Sequence, residues 1–207
     1  QVKKTSLEQY SRPRSNGINA ITIKDNDELL EAKLTTGNSQ VLIAVKSGKC
    51  IRFEEGKTRP MGRNASGVRG IRLKDSSDEV IGMISVNDMD SDILVVSENG
   101  YGKRSSLEDY RVTNRGGKGV KTISITDKTG NLVSIKNVSD GDDLMIINKS
   151  GIAIRMEVSD LRVMGRATQG VKLINIKDND SIAAVAKVVF EEDEVQDIDN
   201  IEVIEEE

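Results

Sequence analysis

Arginine is the residue whose spacing most plainly suggests chemistry in this chain. Arg59 and Arg63 stand eight and four residues before Gly67, Arg111 and Arg115 stand so before Gly119, and Arg162 and Arg166 before Gly170. A shorter loop reaching Gly17 carries Arg12 and Arg14, and Lys57 and Lys118 add charge to two of the others. A guanidinium is a planar fork of donors that stays charged near neutrality and matches two phosphate oxygens at once. Glycine-rich loops let backbone N–H groups approach the same anion. The chemistry this pattern supports is repeated, non-covalent capture of phosphate along a polymer. The competing use is bracing between neighbouring elements. A third series, Arg52, Arg104 and Arg155, falls on expected strands and suits either use. Gly67, Gly119 and Gly170 are read as structural turns serving backbone geometry rather than ligand contact.

Other chemistry is excluded by composition. The chain has no histidine, which removes Ser-His and Cys-His nucleophile pairs and every His-containing zinc site. Cys50 is the single cysteine and reads as an inert core thiol, so no disulfide framework or Cys-cluster metal site is expected. Gly116-Gly117-Lys118-Gly119 feeds a strand rather than a helix and is not a nucleotide-binding loop. Asp88, Asp90 and Asp92 alternate as in a calcium loop, but Ile93 stands where glycine is required and Asn99 where glutamate is. No Trp and five other aromatics make no base-stacking platform. No apolar run is long enough to span a membrane, no signal peptide is evident, and a lone thiol suits the cytoplasm. Lacking an initiator Met, the chain reads as an excised piece of something longer.

The elements that must position the arginines read as strands. Val and Ile number 42 against 12 Leu and 9 Ala, and branched side chains pack on pleated surfaces but lose rotamer freedom in helices. With 18 Gly and two Pro in 207 residues, the expectation is an all-β fold with many tight turns. Charge is divided: residues 191–207 hold ten acids and no bases, so the net −4 of the chain conceals a +6 body, 30 bases less 24 acids, over residues 1–190.

A repeat of about 51 residues organises that body. Val41–Gly48, Ile93–Gly100 and Leu144–Gly151 are parallel versions of one apolar run ending in glycine, with Arg52, Arg104 and Arg155 each four residues on. Lys3–Tyr10 matches Lys103–Tyr110, giving a first copy that lacks its opening strand. Repeats are placed at about 1–40, 41–92, 93–143 and 144–190, followed by an acidic tail, 191–207. Each copy reads as four short strands, such as Ile93–Ser97, a hairpin at Asn99-Gly100, a polar-alternating return strand Tyr101–Glu108, Val120–Ile125 and Leu132–Val138. The turns Lys24–Asp27 and Lys177–Asp180 recur before the fourth strand. Leu7–Tyr10 and Val158–Leu161 could each make one helical turn. The pattern is propeller-like, four similar sheets each unable to bury both faces alone. In the tail, the spacing of Ile201 and Val203 permits a short strand docking on an open edge, where its acids would compete with phosphate; a disordered solubilising end is the alternative.

The run Asn99–Arg104, the loop Arg162–Arg166 with Gln169–Val171, and Met61–Arg72 resemble the C-terminal domain of the DNA gyrase A subunit. The resemblance covers residues 1 to about 188. It implies a β-pinwheel, a propeller-like array whose blades exchange strands, that binds and wraps duplex DNA on a basic rim in support of negative supercoiling by the whole enzyme. It implies that DNA contacts come from Arg12, Arg14, Lys57, Arg59, Arg63, Arg111, Arg115, Lys118, Arg162 and Arg166. The family's box, Gln-Arg-Arg-Gly-Gly-Lys/Arg-Gly, has its nearest match in Thr113–Gly119, which shares five residues and lacks the first two. The resemblance thus places the full box upstream of Gln1 and implies a piece that binds DNA yet wraps it poorly. The family's catalytic tyrosine follows an arginine in a separate domain, whereas Tyr10, Tyr101 and Tyr110 follow Gln9, Gly100 and Asp109. Catalysis, ATP and magnesium are therefore expected elsewhere in the holoenzyme, together with the gyrase B subunit plus a second gyrase A subunit, in a bacterial cytoplasm at the nucleoid. Two rivals stand beside this: the related topoisomerase IV domain, which would select DNA geometry, and a propeller-like protein-interaction scaffold.

Overall fold

The computed structural model describes residues 1–177 and 180–188. The expected tail strand, part of the Lys177–Asp180 turn and the end of the last repeat lie outside them. Eleven strands occur among the described residues: β1 (Gln40–Val45), β2 (Lys49–Glu54), β3 (Val80–Val86), β4 (Asp92–Ser97), β5 (Tyr101–Ser106), β6 (Val120–Lys121), β7 (Leu132–Val138), β8 (Asp143–Asn148), β9 (Ala153–Glu157), β10 (Val171–Lys172) and β11 (Ile182–Val188). They form three antiparallel sheets, ordered β3-β1-β2-β6, β10-β5-β4-β7 and β11-β8-β9.

Period-2 alternation assigns the core. In β4, Ile93 and Val95 face one apolar cluster while Leu94 and Val96 face the next. In β1, Leu42 and Ala44 join Ile93 and Val95 in the first of these, and Val41, Ile43 and Val45 face a third. The first two clusters therefore lie between sheets, and β1 and β4 are apolar on both faces because both are covered. β9 and β11 border the last sheet's outer face, where Ala183, Ala184 and Ala186 are exposed.

The sheets exchange strands. β6 belongs by sequence to the third repeat but pairs with β2 of the second, Cys50 opposite Val120. β10 of the fourth pairs with β5 of the third, Val171 opposite Gly102. Val2 and Val68 make the same junction as a single bridge. Each recurring loop glycine sits beside this exchange with a positive φ: +89° at Gly67, +70° at Gly119 and +83° at Gly170. A Cβ on Gly119 would lie 2.5 Å from the Cys50 carbonyl oxygen, and one on Gly67 2.6 Å from that of Val2. Gly119→Ala combines a left-handed backbone with a clash against backbone, and is expected to cost about 2 kcal/mol in a denaturant melt. A loss below a few tenths would show that the junction yields easily.

Two expectations change. The first copy forms no sheet of its own: Leu29, Leu30 and Leu34 are exposed and its chain from 11 to 39 is irregular. In the other copies the last strand pairs with the opening strand, β3 on β1, β7 on β4 and β11 on β8. Among the described residues the first copy has no such partner strand. The return strand of the third repeat is not polar-alternating in burial either, since Gly102 to Ser105 are all buried in β5; β9 of the last repeat does alternate, exposed with half-buried. One-turn 3-10 helices follow the return strands at Glu55–Lys57, Leu107–Asp109 and Val158–Asp160, and another lies at the equivalent place, Leu7–Tyr10, in the first copy. None of these is long or apolar enough to cross a membrane.

Candidate nucleic-acid interface

The arginine-bearing loops of the second, third and fourth repeats lie across the preceding repeat and are fastened there by recurring bonds. Met61 N donates to the Lys4 carbonyl (2.8 Å), Thr113 N to that of Arg52 (2.9 Å) and Met164 N to that of Arg104 (2.8 Å). The arginine four residues before the glycine completes the seam. Arg115 donates from Nε to the Lys57 carbonyl (2.9 Å) and from Nη1 to that of Arg69 (3.1 Å). Arg166 donates to the carbonyls of Asp109 (2.9 Å) and Lys121 (2.7 Å), and Arg63 to that of Asn19 (2.9 Å). Lys57 and Asp109 close equivalent 3-10 turns, and Asn19, Arg69 and Lys121 each stand two residues past the recurring glycine. Arg115 and Arg166 thus each hold two segments of the neighbouring repeat together through charge-assisted bonds.

The arginines eight residues before the glycine behave differently. Arg59, Arg111 and Arg162 are exposed, whereas Arg63, Arg115 and Arg166 are half-buried. The exposed three donate no side-chain bond within the described residues, and neither do Lys57, Lys118, Arg12 and Arg14. Arg111 and Lys118 both line a cavity of about 190 Å³, with Thr113, Asn114 and Gly117. Arg12, Arg14 and Arg63 surround another of about 570 Å³ with Asn16, Asn19 and Asn64. Sequence reasoning missed one series. Arg69, Lys121 and Lys172 stand two residues after Gly67, Gly119 and Gly170 and are exposed; their recurrence was the available signal. Because Arg115 and Arg166 grip the Arg69 and Lys121 carbonyls, Arg69 and Lys121 lie on the same seam as the loops.

The strand arginines brace. Arg52 donates from Nη1 to the carbonyls of Leu107 (2.6 Å) and Tyr110 (3.0 Å) in the next repeat. Arg104 pairs with Asp92 and Asp140, both at 2.5 Å, and reaches the Val158 carbonyl at 3.3 Å. Arg155 pairs with Asp143 at 2.6 Å. Asp92 is thereby committed, while Asp88 closes a turn through the Asp90 N–H (3.0 Å). No group of His, Cys, Asp and Glu among the described residues could hold a metal. Cys50 is fully buried and its thiol pKa is pushed up by burial, which disfavours the reactive thiolate.

The family model describing a DNA gyrase C-terminal domain, beta-propeller, matches residues 1–36, 40–87, 91–139 and 142–188. The DNA gyrase A subunit of Staphylococcus epidermidis (strain ATCC 12228) is 45% identical over 193 residues, covering 93% of this chain and 22% of that protein. Its counterpart from Staphylococcus aureus (strain MRSA252) is 46% identical over 195 residues, with the same shares. The chain thus spans about a fifth of the length of the curated relatives it matches. Among solved structures, a DNA gyrase A C-terminal domain superposes with a TM-score of 0.76 at 28% identity, over 84% of this chain and 59% of that one. A C-terminal domain of DNA topoisomerase IV superposes with a TM-score of 0.84 over 90% of this chain and 58% of that one; at 23% identity it shows the shared fold alone.

Proposed function

From the premise that this chain belongs to the DNA gyrase C-terminal domain family, we propose that it binds and bends duplex DNA without reading its sequence, as part of a type II topoisomerase. The observation that carries this reading is the series Arg59, Arg111 and Arg162, solvent-facing at one register in three successive loops. Duplex DNA carries about one charge per 1.7 Å of axis, and cations repeated from blade to blade follow a bent backbone through phosphates alone. Loops fastened by main-chain bonds hold those cations in a fixed arc, which favours bendable DNA over a particular base order. The gyrase relatives, at 45–46% identity, favour the supercoiling enzyme over the topoisomerase IV alternative. In that setting ATP, magnesium and the cleaving tyrosine belong to other parts of the assembly. The partners are the gyrase B subunit plus a second gyrase A subunit, and the bacterial cytoplasm at the nucleoid is the location.

Titration against mixed-sequence duplex DNA at several salt concentrations tests the reading. The logarithm of affinity is expected to fall linearly with the logarithm of salt, by about 0.9 per phosphate contact. Six engaged loop cations would give a slope of about −5. Salt-insensitive binding to a protein, with no affinity for duplex, would instead establish the interaction-scaffold alternative.

A further inference from the structure

Lys103 is a cation that phosphate cannot touch. It lies in the middle of β5 and is 1% exposed; Lys3, Ile51 and Ile154 fill the same place in the other repeats. Its Nζ crosses the junction and donates to the Gly165 carbonyl (2.7 Å) and to Thr168 Oγ1 (3.3 Å), inside the loop that carries Arg162 and Arg166. Lys3 repeats the arrangement, donating to the carbonyls of Gly62 (3.3 Å), Arg63 (2.5 Å) and Ala20. Gly62 and Gly165 are the same loop position, five residues before Gly67 and Gly170.

The middle junction is built without an ammonium. Ile51 packs beneath Gly117, and Gly116 N reaches the Gly70 carbonyl at 2.5 Å. Gly70 corresponds to Ala20, the carbonyl that Lys3 takes in the first junction. Isoleucine therefore fills the strand position, and a buried ammonium is costly where no carboxylate bonds it. Core packing alone does not select lysine there. What the ammonium supplies is direction, up to three donors aimed at carbonyls and a hydroxyl of the next loop. Burial pulls the Lys103 pKa down to about 8; Asp109 nearby favours the proton and Arg166 opposes it. Burial likewise lowers that of Lys3, with Arg63 adding to the effect.

We propose that Lys103 is a positioning residue of the phosphate-binding rim: its ammonium, anchored on Gly165 and Thr168, fixes the arc from which Arg162 projects, as Lys3 does for Arg59. The role in DNA binding rests on the function proposed above; the hold on the loop does not.

The test compares the 207-residue chain with its Lys103→Met variant, which keeps the reach and removes the charge. Amide hydrogen exchange over residues 162–170 of the free protein is expected to quicken in the variant. Duplex affinity at pH 7 is expected to fall about tenfold, as when one charge-assisted bond is removed. A pH series separates positioning from stability. Lys103 holds fewer protons folded than unfolded between about pH 8 and 10.5, so its contribution to stability rises with pH there. Over pH 7 to 9 the unaltered chain should lose duplex affinity relative to Lys103→Met while gaining stability relative to it. Affinity that rises with stability, or parallel affinity profiles, would overturn the rim role, as would failure of the unaltered chain to bind duplex. Unchanged exchange over 162–170 would overturn the hold on the loop even if DNA binds. Should the variant fail to fold, exchange over 162–170 in the unaltered chain at pH 7 and 9, corrected for the intrinsic pH dependence, decides the same point.

Discussion

Alanine at Arg59, Arg111 and Arg162 together is expected to weaken duplex binding about hundredfold at about 0.1 M salt, at about 1 kcal/mol for each charge-assisted bond removed. The salt slope should flatten by up to about 2.7, at 0.9 per phosphate. The loss should be the same for unrelated duplex sequences, because phosphate contacts carry no base information. These side chains are exposed and donate to nothing within the described residues, so the melting temperature should move little. Alanine at Arg63, Arg115 and Arg166 should do the reverse in stability. Their guanidiniums join Asn19, Lys57 with Arg69, and Asp109 with Lys121, so removing them loosens three seams and lowers the melting temperature. Affinity titrations and thermal melts of both triple variants check this. Equal effects on stability, or a first triple that binds as before, would show that the two arginine registers are not divided in labour as the geometry indicates.

Arg104→Ala is expected to cost about 3 kcal/mol, or about 10 °C in Tm for a domain of this size. The side chains of Arg104 and Asp92 are only 10% and 13% exposed, so truncation strands a carboxylate in a poorly solvated place. It also cuts the tie to Asp140 and to the Val158 carbonyl at the start of the next repeat's 3-10 turn. The desolvated partner, more than the missing attraction, sets the size of the effect. Arg155, the same arginine in the last repeat, is 47% exposed at its side chain, and Arg155→Ala should cost about 1 kcal/mol or less. Denaturant melts of the two variants give the comparison. A cost for Arg104→Ala no larger than for Arg155→Ala would mean that the deeper burial of the Arg104–Asp92 pair adds nothing.

The division between what was legible and what was not follows from the range of the interactions involved. Strand type, hairpin turns and the 51-residue period are local properties of side-chain shape, glycine placement and self-similarity. β4 at Asp92–Ser97 and β7 at Leu132–Val138 accordingly stand where the apolar runs place them. Strand partners are not local: Cys50 pairs with Val120, seventy positions away, and nothing in either short segment names the other. The same dependence leaves the first copy without a sheet among the described residues, where Leu29–Leu34 pairs with no opening strand. Lys103 looked like a polar residue on a half-exposed strand; only the loop of the following repeat, closing over it, makes it a buried donor. Arg115 stands four positions after Arg111 in a loop with no periodicity, so sequence could mark both as phosphate ligands but could not say which one the neighbouring carbonyls would claim. The sequence determined how many cations the loops carry and how often they recur. The packing of one repeat on the next decided which remain free, because a guanidinium that finds two unpaired carbonyls in a seam is held there, and one that finds none stays in water.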